Sequence, residues 1–406
     1  MISPFVDKRH GTERVLAELL ERVKMRDRSE VHLYAQRISD LEVSVWEPAK
    51  STKGILWHRV RSLRGPHLLQ FVWWYFANRA LRRREARTRQ LSFDLTYSPG
   101  INAADVDAIT VHIVFHAFYE QVRASLRLRG ASLSAWPRTL HRILYYKLIM
   151  WFEKRIYSQR RIALSAVSQL VADQLARHFG REDVLVVRNA VDTKQFNSAA
   201  RLLRRGAARA TFSIGADEFV FLIIGNDWKK KGVDTLLRAL ALCTEISVRL
   251  FVVGQDSPEA YANLCDAIGV SARVRFLSPS ADVLQFYAAA DAYVGPSLED
   301  AYGLPVLEAM ACGLPVIASA AAGVSEIVTD GENGLILRDP RDAEALAALL
   351  RRIATSPEFA HSLARAAERT AAGESWDAYT DRMIAHFEEV IAKKNSKQTR
   401  PEAVSV

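Results

Sequence analysis

Three cysteines in 406 residues, Cys243, Cys265 and Cys312, are too few, too odd in number and too widely spaced for a disulfide framework or a zinc knuckle. They are expected to be buried thiols in a reducing compartment. Long apolar runs are lacking too. The richest, Leu68–Ala77 and Ile143–Phe152, are about ten residues long, where a membrane-crossing helix needs roughly twenty. No signal-like apolar stretch stands near the start, so the chain is expected in the cytoplasm and not across a membrane. No Gly-x-Gly-x-x-Gly string occurs, which argues against a dinucleotide-dependent dehydrogenase. Internal repeats are absent, and the one low-complexity piece is the polar tail KKNSKQTRPEAVSV (393–406), expected to be disordered. The first strand, in MISPFVD, is short, so a few further residues are expected ahead of it.

What the chain does hold is bulk and alternation. With 406 residues and 49% hydrophobic content it can bury the cores of two globular domains. Residues 1–200 hold 33 Lys and Arg against 19 Asp and Glu, an excess of +14, whereas residues 201–406 hold 22 against 27, or −5. The two halves therefore face different partners. In the second half the strand-like runs FVFLIIG (219–225), VRLFVVG (248–254) and RVRFLS (273–278) alternate with helix-like segments at 232–242, 258–269 and 281–290. This alternation predicts a doubly wound parallel sheet whose ligands bind at the carboxyl ends of its strands. Gly225–Gly232, Gly254 and Asp300 all fall at that edge.

Chemical signals gather in residues 295–334. A strand ends at Val294, Gly295-Pro296-Ser297 break it, and Glu299 and Asp300 follow in the loop. Gly303 permits close backbone approach and Pro305 suits a first helical turn, so a helix is expected from about Pro305 to Cys312. Gly313 then fits the residue after its end, and a strand is expected at Val316–Ala318. A helix N-terminus presents unpaired N–H groups and about half a positive charge, which makes the backbone around Tyr302, Gly303 and Leu304 a site for phosphate. Glu308, one turn into the helix, suits a pair of vicinal hydroxyls such as those of a ribose. Upstream, GNDWKKKG (225–232) sets Lys229, Lys230 and Lys231 between a strand and a helix, where ammonium groups can neutralise a leaving diphosphate.

The string PSLEDAYGLPVLEAMACGLPVIAS, followed by GVSEIV and DGENGLIL, resembles the signature of the retaining group 1, or family-four, glycosyltransferases. In that signature two acids with seven residues between them precede a Gly-x-Pro-Val turn. Asp300 and Glu308 have the spacing; Asp stands where Glu is usual, and both Asp300 and Glu299 stay open as the contact to the donor sugar. Lys231-Gly232 matches the family's Lys-Gly, with Asn226 in place of an arginine whose charge Lys230 or Lys229 would supply. NAVDTKQF (189–196) is similar to the family's interdomain linker, with Ala190 for a glycine. The resemblance implies the GT-B fold: α/β, two Rossmann-like doubly wound parallel-sheet domains facing across a cleft. Residues 1–190 would bind the acceptor and 191–375 the nucleotide-sugar, and a helix at 376–392, anchored by Trp376, would cross back to the first domain. It also implies that Gly11 and Thr12 form a loop facing the donor diphosphate and that a histidine faces the donor sugar, either His112, which ends DAITVH, or His116. The implied catalytic set is His112, Asp300 and Lys231, with Gly11, Thr12, Asn226, Lys230, Glu299, Tyr302, Gly303, Leu304 and Glu308 around the donor. The implied reaction moves a sugar from a nucleoside diphosphate to a hydroxyl acceptor with retention, and neither a metal nor a cofactor beyond the donor is expected.

In the first half, an amphipathic helix follows Gly11 with Val15, Leu16, Leu19, Leu20 and Val23 on one face, and Val31–Ala35 is a strand. Residues 50–90 read as one helix, first aromatic (Phe71, Trp73, Trp74, Tyr75, Phe76), then basic (Arg79, Arg82, Arg83, Arg84, Arg87, Arg89). DVDAITVHIVFH (105–116) reads as one buried strand, with Asp105 and Asp107 in its entry turn rather than on a metal. RIALSAVS (161–168) reads as a strand leading to a helix capped by Ser168. The basic-aromatic segment and a second one between Arg123 and Arg161 suggest peripheral contact with an anionic membrane on its cytoplasmic face. A lipid-linked or cell-envelope glycan would then be the acceptor, and no nucleic-acid partner is expected. Two rival classes stand beside this reading. One is a hydrolase or epimerase acting on the nucleotide-sugar alone. The other is a non-catalytic, basic membrane-binding protein, which leaves Asp300 and Glu308 without a role.

Overall fold

The computed structural model describes residues 1–8, 11–26, 30–46, 54–123, 136–215 and 217–398. It divides into two units, one of Met1–Val187 with the chain from Tyr379 onward, the other of Arg188–Ala378.

The first unit is built on short parallel strands: β1 (Phe5–Val6), β2 (Val31–Ala35), β3 (Arg37–Ile38), β4 (Ser44–Val45), β5 (Ile55–Arg59), β6 (Tyr97–Pro99), β7 (Ala108–Val111), β8 (Ala163–Ala166) and β9 (Leu185–Val186). β2, β5 and β4 pair on one side, and β6, β7, β8 and β9 on the other. The segment Met1–Ser3 joins them, because Ile2 N–H donates to Tyr97 O at 2.9 Å while Tyr34 N–H donates to Met1 O at 2.9 Å. The helices are α1 (Gly11–Met25), α2 (His67–Arg89), α3 (Phe115–Val122), α4 (Trp136–Tyr157) and α5 (Gln169–Phe179); α1 packs on β1, α5 packs on β8 and β9, and α4 packs on α2, α3 and α5. Ser168 caps α5, accepting from Val171 N–H at 3.2 Å.

The structure corrects three readings of this half. Residues 50–90 are not one helix: ILWHR (55–59) is a strand paired along its length with β2, and α2 begins only at His67. The run at 105–116 stops being a strand at Val111, and α3 takes over at Phe115. Its start is stabilised from a distance, since the buried Glu153 of α4 accepts from Phe115 N–H at 2.7 Å, His116 N–H at 3.1 Å and His116 Nδ1 at 2.8 Å. A cap drawn from another helix leaves no mark near the residues it caps. The third correction is in the tail: the last helix does not end at 392 but continues to Gln398, and residues 399–406 lie outside the described part.

The second unit opens with α6 (Ser198–Thr211) and then alternates β10 (Phe219–Ile224), α7 (Val233–Leu242), β11 (Val248–Val253), α8 (Glu259–Ala267), β12 (Val274–Leu277), α9 (Leu284–Ala289), β13 (Ala292–Gly295), α10 (Leu304–Ala311), β14 (Val316–Ser319) and β15 (Leu335–Leu337). α11 (Ala343–Thr355) and α12 (Pro357–Ala372) follow, and α13 (Trp376–Gln398) starts in this unit and passes into the first. All six strands are parallel, in the order β12-β11-β10-β13-β14-β15. They are mostly apolar, as in a sheet sandwiched between helices, with one arginine each in β11 and β12, and Phe221, Leu250, Val252, Val294 and Ile317 share one core with Leu236, Leu240 and Leu350. The three cysteines are free and buried. The chain winds outward from β10 to β12 and returns on the other side of β10 at β13. The winding direction therefore reverses between β10 and β13, and ligands of such sheets bind beyond the carboxyl ends of the strands at that reversal.

Candidate functional site

Two loops meet at that reversal, one after β10 (Gly225–Gly232) and one after β13. Gly232 has φ +76°, and a Cβ there would lie 2.1 Å from Pro296 O, so only glycine lets the loops touch. They are hydrogen-bonded through Leu298 N–H to Lys230 O at 2.8 Å. This contact sets two lysines against two acids: Lys231 Nζ lies 2.6 Å from Asp300 Oδ2, and Lys230 Nζ 3.7 Å from Glu299 Oε2. Lys229 is exposed. Asn226 faces neither acid; its Oδ1 accepts from Gln255 N–H at 3.0 Å and ties the loop to the end of β11.

Asp300 is fixed on every side. Its N–H donates to Ala321 O, its carbonyl accepts from Gly323 N–H, both at 3.0 Å, and its Oδ1 accepts from Tyr302 N–H at 3.2 Å. Burial pushes its carboxyl up, but the charge and hydrogen bond of Lys231 outweigh this and hold it below the ordinary carboxylate value. In a half-buried lysine–carboxylate pair each partner compensates the other's lost hydration. An anion arriving at Lys231 competes with Asp300 for it.

Gly303, at φ +97°, turns the chain into α10. The N–H groups of Gly303 and Leu304 stand at the head of the helix, where no preceding turn can accept them. Glu308 is 5% exposed, and its Oε2 accepts from the hydroxyl of Tyr287 at 2.8 Å. Burial, and then the charge of Glu308, raise the Tyr287 hydroxyl well above its ordinary value, so it remains a donor and fixes how the carboxylate points. Lys230, Lys231, Glu299, Asp300, Tyr302, Gly303, Leu304 and Glu308 are thus brought together at one strand edge, with Asn226 beside them as a tie between loops. Tyr287 was not foreseen, because a tyrosine inside YAAAD carries no motif of its own.

The remaining candidates lie in the first unit. Thr12 and His112 line one cavity of about 340 Å³, together with Trp74, Gln70, Asn102 and Tyr145, and Gly11 begins α1 beside Thr12. Burial lowers the His112 imidazole to about 4, so it is neutral at physiological pH. His116 is engaged by Glu153. Asp105 and Asp107 point to separate partners: Asp105 pairs with Arg82 at 2.5 Å, while Asp107 accepts from the Thr96 N–H and hydroxyl, both at 2.8 Å, and lies 3.1 Å from Lys394.

Residues 205–370 match the sequence model of the family described as glycosyl transferases group 1. The fold is GT-B. The GT-B glycosyltransferase WaaG, involved in lipopolysaccharide biosynthesis, superposes with a TM-score of 0.72 at 20% identity, over 94% of this chain and 97% of that one. HepE of Anabaena, solved in complex with UDP-glucose, gives 0.63 at 20% identity, over 98% and 100%. By sequence the chain is similar to a D-inositol 3-phosphate glycosyltransferase of Actinosynnema mirum, 35% identical over 240 residues, which is 55% of this chain and 56% of that protein. The chain spans about half the length of the curated relatives it matches.

Proposed function

We propose that this protein transfers a sugar from a nucleoside-diphosphate sugar to a hydroxyl acceptor with retention at the anomeric carbon. One observation carries the reading: the pairs Lys231–Asp300 and Lys230–Glu299 stand at the winding reversal of a parallel sheet, beside the head of α10. In this mechanism the donor diphosphate takes Lys230, Lys231 and the N–H groups of Gly303 and Leu304, while Glu308 accepts from the ribose hydroxyls. Asp300 or Glu299, relieved of its lysine, receives the sugar hydroxyls. A backbone and ammonium cradle that exists before the reaction stabilises the leaving diphosphate as charge develops. A phosphate oxygen of the donor takes the acceptor proton on the same face. HepE, a protein of the same fold, has been solved with UDP-glucose, which makes uridine nucleotides the first donors to try.

A thermal-shift panel of nucleoside diphosphates and their sugars tests this. A donor at 100 times its dissociation constant is expected to stabilise by roughly 2.7 kcal/mol, and the shift and turnover should both survive a chelator, because lysine and backbone charges meet the phosphates. No shift with any diphosphate would sink the reading. Activity lost in chelator and restored by magnesium would overturn its metal-free part.

We place the acceptor at an anionic membrane surface, as a lipid-linked or cell-envelope glycan. α2 and α4 pack through Phe71 and Tyr75 on Phe152, with ring centroids 5.4 and 4.6 Å apart, and leave Leu69, Trp73 and Phe76 on one helix and Leu140, Leu144 and Trp151 on the other exposed. Trp74 is turned into the core and Arg82 is buried on Asp105, so neither faces a membrane. Arg83, Arg84 and Arg87 are exposed. Each basic residue near an anionic leaflet contributes about 1 kcal/mol. Changing these three to Gln should therefore weaken co-sedimentation with phosphatidylserine vesicles by about a hundredfold. Equal binding to neutral vesicles would leave a soluble acceptor.

A further inference from the structure

The cavity of the first unit is lined by amides, by the hydroxyls of Ser3, Thr12, Tyr145 and Tyr157, and by the imidazoles of His67 and His112. Trp74 is 2% exposed and lines it, and its Nε1–H has no partner in the structure. His112 Nε2, in the same wall, is buried and equally without a partner. Three amides line the cavity, each with one of its two N–H donors engaged: Gln70 donates to Gly65 O at 2.7 Å, Asn102 to Pro99 O at 2.5 Å and Gln36 to Arg61 O at 3.4 Å. Their carbonyl oxygens can accept from a ligand. Phe71, Phe115, Tyr145 and Tyr157 add ring surface, and about 340 Å³ is within the usual size of a small-molecule site. Among the described residues of the lining there is no Lys or Arg, and the one acid is Glu13.

Amide and carboxylate oxygens accept from hydroxyls, and the indole N–H donates to a hydroxyl or ring oxygen. A phosphate would bring up to two negative charges into this wall beside Glu13, with no Lys or Arg among the described lining residues to compensate them, and burying an uncompensated charge is costly. Resting on the transferase reading above, we propose that the part of the acceptor entering this cavity is an uncharged, hydroxyl-bearing ring, and that the N–H of Trp74 helps select it. The chain then differs in acceptor from the relatives named for an inositol 3-phosphate.

The test is saturation-transfer NMR on the full chain without donor, using methyl glycosides and myo-inositol against glucose 6-phosphate and inositol 1-phosphate. The neutral ligands are expected to bind and the phosphorylated ones not. Trp74→Phe keeps the ring and removes the donor, and should weaken the neutral ligands about tenfold, the loss of one buried hydrogen bond, at an unchanged melting temperature. Gln70→Lys should admit the phosphorylated ligands. Phosphorylated ligands binding as tightly as neutral ones, or Trp74→Phe binding as the parent does, would overturn the proposal. So would the absence of binding by either class while UDP still raises the melting temperature, and that outcome leaves the donor site standing. A failure of UDP to shift the melting temperature while glycosides still bind strikes the transferase reading alone.

Discussion

Replacing Lys231 with Ala should lower kcat by about 10²- to 10³-fold, the loss seen when one preorganised group facing developing charge is removed. The reason is geometric. Lys231 sits on the loop after β10, 2.6 Å from Asp300 on the loop after β13, so its ammonium stands where the two loops meet at the winding reversal. Charge on the leaving diphosphate grows in the transition state, and an interaction that strengthens there appears in kcat more than in KM. The substitution also strands Asp300. Its carboxyl is held low against burial by Lys231, so without that charge it rises, and the half-protonation point of the site moves toward neutral pH. Steady-state kinetics from pH 5 to 9 would show both effects, with Lys231→Arg recovering part of the rate and the exposed Lys229→Ala leaving it near the parent. A Lys231→Ala enzyme within threefold of the parent would remove the leaving-group role.

Glu308→Ala should weaken nucleoside-diphosphate binding by about ten- to a hundredfold, since charge-assisted hydrogen bonds to two hydroxyls contribute roughly 1.5–3 kcal/mol. Stability confounds this less than the burial of Glu308 suggests. Tyr287, deprived of the carboxylate, keeps an acceptor in Pro305 O at 3.2 Å. Glu308→Gln preserves the tyrosine contact but loses the charge and should fall between parent and Ala, while Tyr287→Phe should loosen the carboxylate and give a smaller loss. Isothermal titration with UDP decides, and unchanged affinity in folded Glu308→Ala would refute the ribose contact.

The second unit was legible in sequence because each of its signals is local. Its strands are short, predominantly apolar runs, its helices alternate with them, and Gly303, Pro305 and Gly313 punctuate α10 where backbone stereochemistry requires. The bonds Lys231 makes to Asp300, 69 residues away, could be expected once both were placed at the same strand edge. The first unit resisted because its determinants are distant. The strand at 55–59 is held between β2 and β4, and the helix start at Phe115 is capped by Glu153, 38 residues on. Trp74 could not be told from Trp73 by pattern, since α2 is aromatic on more than one face, yet one is buried in a cavity wall and the other is 41% exposed. Asn226 occupies the position of a charged residue in the resembled family, and its tie to Gln255 across two loops is a distant contact that no local pattern marks.

The path of α13 has a consequence for how the protein is made. The second unit is one uninterrupted stretch, Arg188–Ala378, whereas the first needs the chain from Tyr379 onward, including Phe387 against Tyr97 at 5.0 Å and Lys394 at 3.1 Å from Asp107. A ribosome adding roughly 5–20 residues per second needs about ten to forty seconds to translate the intervening stretch. For that interval the earliest-synthesised half waits with the surface around Tyr97 uncovered, while the later half already holds every residue it needs. The usual order of maturation along a nascent chain is thereby reversed, and the final helix is the step that closes the half made first.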